Sequence, residues 1–243
     1  MVKYMLVALS VFVGTVLHAQ QSPLPRINHF ADLTGTVGES QGTAAASYVY
    51  NWRLGKKRKW EAGLSLRYTG YFGVKKDFTT APGRLARGTT TPFLIVFAEQ
   101  KTENWDTLTV QRPFVNSVNL AANFGYNFNA RWSLGFNIDL VGFSFGRTTS
   151  GILTSNGVTR TEPAAKPTSF NALLTGDNDY GNLNSEFFLK YKLAQRWGIK
   201  AVYGFYFAEY KTNTIKQTAP DGTLVDRFRV KANTLGLGVS YHF

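Results

Sequence analysis

Acyl transfer and ester hydrolysis need a Ser-type nucleophile beside a His base, and this chain has few bases to offer. Its 243 residues contain 3 His and no Cys. His18 falls in the N-terminal segment that reads as a leader, which leaves His29 and His242. No G-x-S-x-G or HExxH pattern sets a nucleophile or a metal beside either of them. Asp177-Asn178-Asp179-Tyr180-Gly181-Asn182 gathers oxygen ligands in the manner of a calcium loop. Phe188 stands where the bidentate Glu of an EF-hand belongs, so the segment reads as a turn leading into a strand. No catalytic residue, cofactor or metal is therefore expected.

The charges placed among alternating residues are more informative. Glu61, Arg67, Asp139, Glu186, Lys190 and Lys200 each lie on the small, polar side of a stretch whose other side is apolar. From Trp132, the residues Leu134, Phe136, Ile138 and Leu140 share one face; Ser133, Gly135, Asn137, Asp139 and Val141 share the other. Val118, Leu120, Ala122, Phe124, Tyr126 and Phe128 repeat the pattern, as do Trp60 to Tyr68, Leu183 to Leu193, Trp197 to Phe207 and Leu235 to Phe243. Strict period two argues for strands. The stretch ending at Trp52 is weaker, with Ala44, Ala46, Tyr48 and Tyr50 outward, and that around Ile27 to Val37 is weakest.

Aromatic corners bound these stretches. Tyr50-Asn51-Trp52, Tyr126-Asn127-Phe128, Tyr191-Lys192-Leu193 and Tyr241-His242-Phe243 each close one, and Trp60, Trp132 and Trp197 each restart one after a short turn. Aromatics at short turns, with alternation on both sides, suit a transmembrane β-barrel where its hairpins meet the membrane interface. Connections around Leu54–Lys59, Asn129–Arg131 and Ala194–Arg196 are short. Those at Val74–Arg112, Arg147–Tyr180 and Thr212–Asp226 are long, with a tight exception at Glu39–Gly42. Short periplasmic turns and long extracellular loops follow, around a closed antiparallel all-β barrel of eight strands. Pro92–Phe97 and Trp105–Val110 allow a count of ten. That count inverts the turn pattern, so the two segments are read as a hairpin above the membrane or a loop over the mouth.

The leader fits export. Lys3, the apolar run Met5–Leu17 and Ala19 read as a signal peptide over 1–19, although Leu17 is bulkier than the cleavage site prefers. A short periplasmic segment, 20–26, then precedes the barrel at 27–243. The 27 basic residues outnumber 15 acidic ones. Apart from Lys56-Lys57-Arg58-Lys59 they are scattered, so nucleic acid is not an expected partner and anionic lipid headgroups are the sharper alternative.

Together the strands, the Tyr-x-aromatic corners and Tyr241-His242-Phe243 resemble small eight-stranded outer-membrane barrels of the OmpA/OmpX type. The resemblance spans about Ile27 to Phe243. It implies an outer-membrane location, lipid contact, and recognition of the final strand by the barrel-insertion machinery, with Tyr241 and Phe243 as the assembly signal. It names no ligand.

An eight-stranded barrel is only wide enough for side chains to fill, so its inward charges must pair. Arg67 and Asp139 stand at equal height above Trp60 and Trp132, and Glu186 at the same distance from Leu193. Asp139 and Glu186 are expected to face each other with Arg67 between them, above a basic layer of Lys190 and Lys200. The functional reading is a non-catalytic barrel working through its extracellular loops in surface binding, adhesion or envelope maintenance, with an unidentified extracellular ligand. A narrow pore or transport route is the alternative, and a lipid-modifying enzyme the second.

Overall fold

The computed structural model describes residues 24–155 and 157–243; the leader segment 1–19 lies outside the described residues. In chain order the strands are β1 (Ile27–Gly38), β2 (Gln41–Leu54), β3 (Trp60–Gly73), β4 (Lys75–Thr80), β5 (Thr107–Gln111), β6 (Phe114–Asn127), β7 (Trp132–Phe145), β8 (Thr149–Ser155), β9 (Val158–Pro167), β10 (Phe170–Ala172), β11 (Leu183–Lys192), β12 (Trp197–Lys211), β13 (Gln217–Thr218), β14 (Leu224–Val225) and β15 (Arg227–His242). An antiparallel ring closes through β1, β2, β3, β6, β7, β11, β12 and β15, with β15 pairing back onto β1 from Phe30↔His242 to Val37↔Leu235.

Alternation along these strands sorts the side chains. Leu33, Leu64, Leu66, Leu134, Leu189, Ile199, Leu235 and Leu237 are exposed on the outer wall, while Asp32, Ser65, Arg67, Asn119, Asp139 and Lys200 are buried within. The ring is thus apolar outside and polar inside, the reverse of a water-soluble barrel. The aromatic corners pair across neighbouring strands. Trp60 meets Tyr126, Trp132 meets Tyr191 and Trp197 meets Tyr241, with ring centroids 4.8, 4.7 and 5.0 Å apart. Each Trp that opens a strand therefore packs on the Tyr that closes the next one along the ring.

One register shift corrects the sequence reading. Leu120 pairs with Val141 but Ala121 with Asp139, so Leu140 is a bulge. Beyond it the alternation inverts: Val141 was expected inward, yet Val141, Phe143 and Phe145 are exposed, and Ser144 is buried.

The long connections are also more ordered than polar composition suggested. β4 pairs with β5, β5 with β8, β8 with β9, β9 with the upper end of β12, and β4 with the upper end of β15. Since β12 and β15 pair with each other, these strands close a second ring on top of the first. Its interior is apolar, built from Phe78, Leu108, Val110, Leu153, Ala165, Tyr210 and Phe228. The hairpin expected between Pro92–Phe97 and Trp105–Val110 does not form. Leu94–Phe97 is a single helical turn, and Thr107–Gln111 pairs instead with Lys75–Thr80. Thr-rich, charge-interrupted strands resemble loops by composition, and only their alternate buried residues reveal them.

Candidate functional site

The inward charges of the first ring form a continuous ladder. Arg67, on β3, donates from Nε to Asp139 Oδ1 at 2.8 Å and from Nη2 to the same oxygen at 2.5 Å. It also donates to Asn137 Oδ1 and, at 2.5 Å, to the Asn184 carbonyl. Glu186 lies 3.8 Å from Arg67 Nη1 and takes a hydrogen bond from Lys200 Nζ at 3.3 Å. Lys200 also donates to Asp32 Oδ2 at 2.9 Å, and Lys190 Nζ stands 3.6 Å from Asp32 Oδ1. The order Lys190–Asp32–Lys200–Glu186–Arg67–Asp139 alternates in sign along its length. Arg67, Asp139, Glu186 and Lys200 are each no more than 2% exposed, so every charge here depends on its neighbours rather than on water.

The five lumen residues singled out from sequence are thus brought together, with two changes. Asp139 and Glu186 do not share Arg67 equally: Arg67 bonds to Asp139, and Lys200 is the hydrogen-bonding cation of Glu186. Lys190 and Lys200 are directly opposite partners on β11 and β12 but form no separate basic layer, because Asp32 lies between them. Asp32 escaped the sequence reading because it sits on the weakest strand. The alternation Phe30, Asp32, Thr34, Thr36, all buried, was the signal. Asn119 and Asn137 lie on the polar faces of their strands, but the sequence reading gave neither them nor Asn184 a part in the ladder; Asn119 Nδ2 and the Asn184 N–H hold Asp139 Oδ2 at 2.7 and 2.8 Å, and Asn137 Nδ2 donates to Glu186.

Below the ladder, at the short-turn end, Glu61 accepts from Arg53 Nε at 2.7 Å and from Asn28, Asn51 and Asn127. A cavity of about 50 Å³ lies here, bordered by Asp32, Asn51, Glu61, Asn123, Lys190 and His242. That is room for a few water molecules, which suits its polar lining. His242 points inward and its Nδ1 lies 3.1 Å from Asn28 Oδ1; His29 points outward, 3.3 Å from the Tyr48 hydroxyl. Among the described residues neither His has a Ser or Thr hydroxyl as a hydrogen-bond partner. Phe243 stacks on His29 at 5.4 Å and meets Tyr241 edge-on at the same distance, so both proposed assembly residues lie on the β15–β1 seam.

Above the ladder the chemistry changes abruptly. Tyr71 and Tyr206 stack with centroids 5.1 Å apart and planes 7° apart, and Tyr210 packs on Phe78 at 5.0 Å. This aromatic layer joins the polar lumen to the apolar interior of the second ring.

The acidic turn on the outer face is a salt-bridge centre. Asp177 meets Lys231 at 2.6 Å and Arg87 at 2.5 Å, with Arg229 at 3.9 Å. Burial pushes the Asp177 carboxyl up, but Lys231, Arg87 and Arg229 outweigh that and hold it below the ordinary aspartate value. Asp179 spends one oxygen on the Leu174 N–H. Protein cations and donors thus occupy both Asp177 oxygens and one of Asp179, among those that the calcium-loop comparison had offered to a metal.

No protein-family model and no curated protein matches the chain. Among solved structures, Neisserial surface protein A matches at 9% identity over 89% of this chain and 96% of its own, with a TM-score of 0.34. The attachment invasion locus protein of Yersinia pestis matches at 11% identity over 89% and 96%, with a TM-score of 0.33. The latter is also solved with the heparin analogue sucrose octasulfate, and that structure matches at 12% identity over 89% and 95%, with a TM-score of 0.30.

Proposed function

We propose that the protein is a non-catalytic outer-membrane barrel of eight crossing strands whose work is done outside the membrane, in surface binding, adhesion or envelope maintenance. The observation that carries this reading is the double obstruction of the interior. A neutralised charge ladder fills the first ring, and a stacked Tyr71–Tyr206 layer with an apolar core fills the way beyond it. A solute has no polar route from one end to the other, which disfavours a pore. The outer wall supports the membrane assignment. From Trp132 to Phe143, both exposed, the apolar stretch of β7 rises roughly 25 Å once its tilt is allowed for, close to the apolar band of such barrels.

In this orientation the short turns face the periplasm and the second ring stands outside, carrying the remaining connections as a rigid platform for an extracellular ligand. Outer-membrane lipid and the barrel-insertion machinery are the other partners. The test is single-channel recording of the purified protein in planar bilayers. Rare, small openings or none are expected; large, steady conductance would overturn the proposal in favour of the pore.

A further inference from the structure

One group of apolar side chains is left without a role by either ring. Phe93, Leu94, Val96 and Phe97 are 77%, 63%, 54% and 86% exposed, whereas Ile95 between them is fully buried. The turn that carries them is firmly held. Ile95 fits against Gly83 and Gly176, where added Cβ atoms would come within 2.5 and 3.3 Å of its side chain. Asn178 Nδ2 donates to the Thr90 carbonyl at 2.8 Å before the turn, and Arg87 Nη1 to the Ala98 carbonyl at 2.6 Å after it. Phe93 adopts φ 65°, a left-handed conformation that bulky residues rarely take. The fold therefore accepts local backbone strain in order to point these residues away from itself.

The position of the turn indicates what covers it. Its support, Gly176–Asn178, belongs to a segment rooted in the ring itself, edge to edge with the upper part of β7: Phe170 pairs with Phe143, and the Leu173 N–H bonds to the Leu140 carbonyl at 2.7 Å. That root lies level with the top of the apolar wall. From there the segment runs sideways until Asp177 reaches Lys231 on β15, four residues before exposed Leu235. Exposed Phe143, Phe170 and Leu174 continue the apolar surface outward to Gly176, where Val96 packs 3.5 Å from the Cβ position.

We infer that Phe93, Leu94, Val96 and Phe97 form a lateral finger that inserts into the outer leaflet at the boundary between headgroups and acyl chains, where amphipathic elements bury their apolar faces. The inference rests on the membrane-crossing reading, and its occupant is lipid rather than protein because the finger continues the lipid-facing wall. It locks the second ring to the membrane surface at one side.

The chain has no Cys, so single cysteines can carry the environment-sensitive fluorophore NBD at Phe97, at Leu237 on the wall and at exposed Lys216 in the connection between β12 and β13. Each protein is refolded into phosphatidylcholine vesicles with and without doxyl-labelled lipid. At Phe97 the emission should shift to the blue and be quenched by the doxyl lipid nearly as strongly as at Leu237, while Lys216 stays unquenched. Quenching at Leu237 with none at Phe97 would overturn the finger and leave the crossing barrel standing. A lack of quenching at Leu237 would remove the crossing reading and the finger with it. A blue shift at Phe97 that grows with protein-to-lipid ratio, without quenching, would assign the surface to a second copy of the chain and overturn lipid as its occupant.

Discussion

Replacing Arg67 by Ala removes the only cation hydrogen-bonded to Asp139 among the described residues. The side chain supplies two bonds to Asp139 Oδ1, one to Asn137 and one to the Asn184 carbonyl. What remains for Asp139 is neutral: Asn119 Nδ2 and the Asn184 N–H. Glu186 keeps Lys200, so the damage centres on one fully buried carboxylate. Orphaning one member of a buried pair costs about 3–5 kcal/mol, which is about two to three and a half factors of ten in the folding equilibrium. Urea unfolding in vesicles, followed by Trp emission and by the heat-modifiable band shift on gels, measures the loss. The double variant Arg67→Met with Asp139→Leu removes both charges and should recover most of it, because a buried pair replaced by apolar groups is often neutral or better. Neither variant should conduct, since the Tyr71–Tyr206 layer stays in place above the gap. A loss below about 1 kcal/mol for Arg67→Ala, as for an exposed pair, would refute the view that the ladder holds the first ring together.

The second ring gives a pH-dependent prediction. Glu162 accepts from the N–H groups of Ile215, Ala164 and Thr214 at 2.8, 2.9 and 3.0 Å. Burial pushes its carboxyl up, but these donors prevail and hold it below the usual glutamate range. Its contribution is therefore complete above the unfolded value near 4.3 and is lost as pH falls through the lower folded value. Hydrogen exchange at Thr214 and Ile215 should show protection at pH 6 that fades in acid, and Glu162→Gln should weaken it at pH 6; equal protection in the variant at that pH would exclude the clamp. Phe243→Asp should reduce the heat-modifiable, inserted form while export continues, because Phe243 stacks on His29 across the β15–β1 seam; normal amounts of inserted barrel would contradict that role. Single cysteines at Thr154 and Thr218 should react with a membrane-impermeant thiol reagent on intact cells, and those at Lys57 and Ala130 should not. Labelling at Lys57 would invert the proposed orientation.

Much of the first ring can be read directly from the chain, because an apolar wall around a polar lumen forces period two on every strand and aromatic residues onto every short turn. Trp132 and Tyr191 are marked as strand ends by type and position alone. The bulge at Leu140 was hidden, since both Leu140 and Val141 are apolar and either can face outward; the exposed Phe143 and Phe145 were the available clue. The ladder was legible wherever a strong alternation framed a charge. Asp32 was missed because Ala31, Gly35 and their neighbours give β1 little contrast between its faces. The second ring was concealed by its surface, where Lys75, Asp77, Thr107 and Thr109 look like loop residues. Its core depends on Phe78, Leu108 and Leu153 meeting from segments far apart in the chain, a coincidence that no local pattern records. For the finger, the apolar run was plain but its conformation was not: one buried residue, Ile95, sets a helical turn where the hairpin alternative required a strand.

The strands common to both rings also define how force travels. β12 and β15 stay in register from Trp197↔Tyr241 to Lys211↔Arg227, from the aromatic corner at one end to the second ring at the other. A tether pulling outward on that ring loads this ladder along its length, so its hydrogen bonds resist together in shear rather than opening one by one as in a peeled hairpin. The same two strands carry Glu209 against Arg227 and Arg229 near the point of loading, at 2.9 and 2.8 Å. Forced unfolding is governed by the rate of leaving the native state, and this geometry makes the loaded path through the molecule its longest continuous ladder.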